Sequence, residues 1–187
     1  AASSKLHRIS KNLEQSKWEA VELSVAELGE ACPGTSAVGS ECSVFIGDMD
    51  NNGANDVVIS ADGTTRIASF GPGGGGMLMG QPLRIQAFAV RDQNGDGKLD
   101  IVGIGPDGIP AVLRNQSSKN YRWQLFRPRA GKTEGDQRVN SFGIGGEMEV
   151  RTGVRTQKQL ITAPAVHFGL GEAPNADVLR IIWNNGF

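Results

Sequence analysis

The chain has 187 residues, a formal net charge of −1, 39% apolar and 21% charged residues, and 26 glycines. This composition fits a globular chain with one or two cores, and its glycine content suits a turn-rich β protein better than a helical one. The balanced charge offers no electrostatic footprint for nucleic acid or an anionic membrane, and no apolar run approaches the roughly 20 residues of a membrane span.

The N-terminus, Ala1-Ala2-Ser3-Ser4-Lys5, has the pattern of neither a signal peptide nor an initiator-methionine start, so the chain is expected to be a piece of a longer protein. Leu6-His7-Arg8-Ile9 and Lys17 to Leu23 read as two strands, the last of an earlier repeat. The alternative for 11–29 is an amphipathic helix, because Glu, Leu and Ala are frequent there. Cys32 and Cys42 flank a Pro/Gly/Ser-rich loop; a staple in an oxidising compartment and two unpaired thiols fit the sequence equally well.

Next comes Asp48-Met49-Asp50-Asn51-Asn52-Gly53-Ala54-Asn55-Asp56, and 44 positions later Asp92-Gln93-Asn94-Gly95-Asp96-Gly97-Lys98-Leu99-Asp100. Both place oxygen side chains at positions 1, 3, 5 and 9 and glycine at position 6. Calcium takes about six to eight oxygen ligands at 2.3–2.6 Å, and alternate residues of a tight loop can aim oxygens at one ion. Gly53 and Gly97 allow the sharp turn. Asp48, Asp50, Asn52 and Asp56 would ligate through side chains in the first loop, and Asp92, Asn94, Asp96 and Asp100 in the second. Ala54 and Lys98 could offer only their carbonyls. An EF-hand needs flanking helices and a Glu at position 12, but Ile59 and Gly103 stand there. The flanking runs, Ser43 to Ile46, Asp56 to Ile59, Ala87 to Val90 and Leu99 to Val102, are β-branched-rich and strand-like. Ordinary Asp/Asn/Gly turns are the plain alternative; two copies in one ligand frame and one strand context argue against it.

A spacing of 44 residues falls in the range of stacked repeats or propeller blades. Strands are predicted near 43–47, 56–60 and 64–70, then at 84–90, 99–104 and 109–114. Blades bury their faces only against neighbours, so two blades and a remnant need the rest of a parent propeller or another subunit. The pattern changes near Asn115 to Asn120, giving expected domains of 1–116 and 117–187. Glu147 to Arg151 and Val178 to Trp183 alternate like strands, and 128–138 reads as an exposed loop.

These residues carry a family resemblance. The two acidic loops between strands resemble the FG-GAP/VCBS repeats of calcium-binding β-propellers. Asn140-Ser141-Phe142-Gly143-Ile144-Gly145-Gly146-Glu147-Met148-Glu149-Val150-Arg151, then His167-Phe168-Gly169-Leu170-Gly171, then Val178 to Gly186 resemble the ASPIC/UnbV domain. The two modules in this order are similar to the cartilage-acidic-protein family and its bacterial relatives. The likeness spans about 43–114 and 119–186; Asn184-Asn185-Gly186 departs from the usual Trp-Pro-Ser/Asn-Gly ending. It implies an all-β chain, a partial β-propeller followed by a small β-sandwich-like domain. It also implies an extracellular, cell-surface or periplasmic location, structural Ca2+ in the loops, and adhesion, protein interaction or scaffolding without an enzymatic reaction. A protein or glycan partner is the expectation; nucleic acid and membrane insertion are not.

Other motifs are weaker. Gly71 to Gly76 and Gly103 to Gly108 match GxGxxG, but a dinucleotide site needs that motif between a strand and a helix. Gly131-Lys132-Thr133 lacks the phosphate-loop glycine, since Phe126 stands in its place. His7 and His167 form no metal pair, His167 reads as packed or hydrogen-bonded, and Trp18, Trp123 and Trp183 read as core. Glu147 and Glu149, at i and i+2 of a strand, are the paired carboxylates that a rival reading, a carbohydrate-binding or hydrolytic module, would use.

Overall fold

The computed structural model describes residues 6–12, 16–23, 42–70, 75–131 and 140–185. Cys32, Gly71 to Gly74 and residues 132–139 lie outside them. The described residues are all β, with fourteen strands in several small antiparallel sheets and no helix. They fall into two compact units: Ala1–Gly47, Asn55–Gln93 and Leu99–Asn115 in one, and Asp48–Ala54, Asn94–Lys98 and Gln116–Phe187 in the other. The tips of both acidic loops thus belong to the same unit as the C-terminal segment.

In the first unit, β1 (Leu6–Asn12) and β2 (Lys17–Leu23) form an antiparallel hairpin with Leu6 opposite Leu23. The extended pairing replaces the alternative helix over the described part of 11–29. β3 (Cys42–Gly47), β4 (Asp56–Ala61), β5 (Thr64–Phe70) and β6 (Gly76–Leu78) make a sheet in chain order. β7 (Gln86–Arg91), β8 (Asp100–Ile104) and β9 (Pro110–Leu113) make another. The β4–β5 connection is Asp62-Gly63, with φ of 49° and 73°, as a two-residue hairpin turn of matching twist requires.

Every residue of β4 is buried, so its alternation serves two layers. Val57 and Ile59 join Ala68, with Leu6, Leu23, Phe70 and Leu78 packed against them. Burying aliphatic side chains of this size contributes about 1.5–3 kcal/mol each. The buried hydroxyls are satisfied: Thr65 Oγ1 donates to the Ile85 carbonyl at 2.7 Å and lies 2.9 Å from Ser60 Oγ, which accepts from Ala87 N at 2.7 Å. Trp18 corrects the core expectation, being 72% exposed. Period two explains it: Val21 and Leu23 are covered, and Trp18 stands on the opposite face with Ala20 and Glu22.

In the second unit, β10 (Arg122–Phe126) pairs with β13 (Val166–Gly171). β12 (Arg155–Leu160), β11 (Glu147–Thr152) and β14 (Val178–Ile182) form a three-stranded sheet with β11 central. Along β11, Met148, Val150 and Thr152 turn inward while Glu147 and Glu149 take the other face. Met148, Val150, Ile161, Val166, Phe168 and Leu170 form the core, with Phe126 meeting Phe168 edge-on at 5.9 Å. No helix among the described residues is long and apolar enough to cross a membrane.

Candidate metal centre

The first acidic loop joins β3 to β4, neighbours in one sheet, with Gly47 paired to Asp56 at its base. Asp48, Asp50 and Asp56 are 4%, 6% and 0% exposed. One carboxylate oxygen from each lies within 4.8 Å of the others. Two oxygens on one calcium ion at 2.3–2.6 Å lie at most about 5 Å apart, so the three are spaced for a shared cation. Without one, each pair of like charges at that distance repels by roughly 3.5 kcal/mol at an effective dielectric of about 20.

Loop amides hold Asp48 and Asp50. Asp48 accepts from Asn52 N at 3.0 Å through Oδ1 and from Gly53 N at 2.7 Å through Oδ2. Asp50 Oδ1 accepts from Asn52 N at 3.2 Å, and its Oδ2 pairs with the half-exposed Lys119 ammonium at 2.6 Å. Asn52 Oδ1 accepts from Ala54 N at 2.7 Å, which makes an Asx turn of the ligand frame. Gly53 has φ +84°, and a Cβ there would lie 2.7 Å from Arg155 Nη1. The Arg155 guanidinium in turn donates to the Asn52 carbonyl.

The second loop joins β7 to β8 in the same way, with Arg91 opposite Asp100, but its oxygens are distributed differently. Asp100, fully buried, accepts from Gln93 N at 3.1 Å and from Asn115 N at 2.9 Å, one amide on each carboxylate oxygen. Asn94 and Asp96 are exposed and hydrogen-bond one another, and Asp96 Oδ1 accepts from Lys98 N at 2.9 Å. The Lys98 side chain reaches the Ser117 carbonyl at 2.6 Å. Asp92 is partly buried. Among the described residues, three clustered carboxylates occur in the first loop and not in the second.

Sequence reasoning passed over position 4 of the first loop, Asn51. It is 4% exposed with φ +60°. Its Nδ2 donates to the Gly97 carbonyl at 2.8 Å, and its Oδ1 lies 2.8 Å from His167 Nε2. A carbonyl can only accept, so Nδ2 faces Gly97 and Oδ1 faces the imidazole, which places the His167 proton on Nε2. The Asn51 carbonyl accepts from Gly171 N at 2.8 Å. His167 stacks on Trp123 with ring centroids 5.5 Å apart. A Cβ on Gly97 would sit 1.7 Å from the Trp123 indole. A Cβ on Gly169 would sit 2.0 Å from Asp48 Oδ2, so glycine in the His-Phe-Gly-Leu-Gly block makes room for the loop. The one available signal was the block's small residues; no sequence spacing links it to Asn51.

The remaining candidates resolve structurally. Lys158 on β12 reaches Glu149 at 3.0 Å and Glu147 at 3.5 Å across the β11–β12 pair. The Lys158 pKa is raised above its ordinary 10.5, chiefly by the hydrogen bond to Glu149 and then by the charges of Glu147 and Glu149. Gly103 to Gly108 runs from the end of β8 into the turn before β9, closed by Gly105 N to the Ile109 carbonyl at 2.9 Å, so strand follows strand where a nucleotide site needs a helix. His7 is exposed, and Trp123 and Trp183 are half-buried. Of the described residues, none brings a second histidine to His167 in a metal cluster. No protein-family model, no curated protein and no solved structure matches this chain.

Proposed function

We propose that the chain is a non-enzymatic calcium-binding β-repeat module of the FG-GAP/VCBS kind, with an ASPIC/UnbV-like C-terminal unit. In this reading it serves adhesion, protein interaction or scaffolding outside the cytoplasm. One observation carries the calcium part: three buried carboxylates of one loop share a space the size of a calcium shell. Asp48, Asp50 and Asp56 would hold the ion, with Asn52 and the Ala54 carbonyl completing the frame. Bound calcium would neutralise the loop and pin the β3–β4 connection. The second loop, with Asp92, Asn94, Asp96, Lys98 and Asp100, would bind more weakly, because its carboxylates are not gathered as those of the first loop are and its tip residues are exposed.

A propeller origin is supported by the repeated strand–acidic loop–strand unit and by apolar side chains on the outer strands. Ile46 of β3 is 69% exposed and Phe88 of β7 is 57% exposed, as blade faces are when a neighbouring blade or subunit completes the packing. Glu147 and Glu149 enter the proposal as one half of a cross-strand ion pair with Lys158 and carry no chemistry.

Calcium that binds the folded loop alone stabilises by mass action, about 2.7 kcal/mol at a hundredfold excess over Kd. The melting temperature should therefore rise by several degrees in millimolar calcium and fall back with chelator. Asp50→Asn, which keeps the shape and removes a charge, should abolish most of the rise, and Asp92→Ala much less. A melting temperature indifferent to calcium and chelator would remove the metal reading.

A further inference from the structure

We propose that Asn51, Gly97, Trp123 and His167 form a closed clasp through which the two acidic loop tips and β13 respond as one element. The ring closes in four contacts. Asn51 Nδ2 meets the Gly97 carbonyl at 2.8 Å, Gly97 lies against the Trp123 indole, Trp123 stacks on His167, and His167 Nε2 returns to Asn51 Oδ1 at 2.8 Å. Each member touches two others, so losing one removes a contact from both of its neighbours. A buried amide with both ends committed is costly to leave half-satisfied. Asn51 also sits at φ +60°, a left-handed state that asparagine tolerates better than most residues with a side chain.

Asn51 stands between two candidate ligands, Asp50 and Asn52. An ion that draws those two inward fixes the backbone between them, and the clasp passes that restriction to Gly97 and to His167. This transmission rests on the calcium reading above; the clasp itself does not.

Hydrogen exchange separates the two. In calcium-free protein, Asn51→Ala and His167→Phe (which keeps a ring to stack on Trp123) should each speed exchange at 94–98 and at the Gly171 amide by about tenfold or more, as loss of a buried hydrogen-bonded partner implies. The double variant should exceed the larger single effect little, since both break one ring. In an Asp92→Ala background, which weakens the second loop's own ligand set, calcium should slow exchange at 48–54 and at 94–98 together. Adding Asn51→Ala should keep the first response and lose the second. Unchanged exchange at 94–98 in both calcium-free single variants would overturn the clasp. Protection by calcium at 48–54 alone, with Asn51 intact, would overturn the transmission. No calcium effect anywhere would overturn the metal reading and the transmission with it, while the calcium-free variants still decide the clasp.

Discussion

Position 9 of the two loops shows how one residue type in one sequence frame does two jobs. Asp56 and Asp100 each open an inner strand, and each is fully buried. Asp56 turns an oxygen toward Asp48 and Asp50, whereas Asp100 spends both oxygens on the amides of Gln93 and Asn115. Asp100→Ala should therefore destabilise the protein with or without calcium. The part-buried amides of Gln93 and Asn115 lose their acceptor, at up to about 3 kcal/mol each, giving a total of at most about 6 kcal/mol by urea denaturation. If the loss appears only in calcium-loaded protein, Asp100 is a ligand and its clamp role is wrong.

Elements follow the hydrophobic alternation closely. The run 64–70 is a strand over that span, and 43–47, 56–60, 99–104 and 109–114 shift by a residue or so at their ends. The strand expected from 84 begins at Gln86, because Leu83 pairs with Thr65 and the chain redirects before β7 starts. On β11 the inward face is core and the outward face carries Glu147 and Glu149, clamped by Lys158. This exposed pair should contribute less than about 1 kcal/mol. Its sign with pH follows from the raised Lys158 pKa. A lysine whose pKa is higher folded than unfolded stabilises fully below its unfolded value, and the contribution is lost as pH climbs through the folded one. The difference between wild type and Lys158→Met should thus be constant from neutral pH to about 9 and shrink above 10.5. A difference that grows on the alkaline side would show that the ion pair is not its source.

At the scale of the whole chain, two cores form, one around Val57, Ile59 and Ala68 and the other around Met148, Val150 and Phe168. The loop tips 48–54 and 94–98 go with the second. Phe168→Ala, far from either loop in sequence, should cost about 3–5 kcal/mol and weaken the calcium response, although no candidate ligand is changed. An unaltered calcium-induced shift in that variant would mean that the loops hold their shape alone. The expected domains, 1–116 and 117–187, followed composition along the chain, and composition cannot register a loop tip that leaves one segment to pack with another.

The residues by themselves determined the β class and most strand positions, because period-two burial and Asx/Gly turn chemistry act between near neighbours. Tertiary structure alone decided which acidic loop gathers its carboxylates, why Gly169 and Gly97 have no side chain, and what Asn51 does. Those outcomes depend on atoms from Lys119, Trp123, Arg155 and His167, whose approach is set by packing of distant segments and leaves no mark in local spacing.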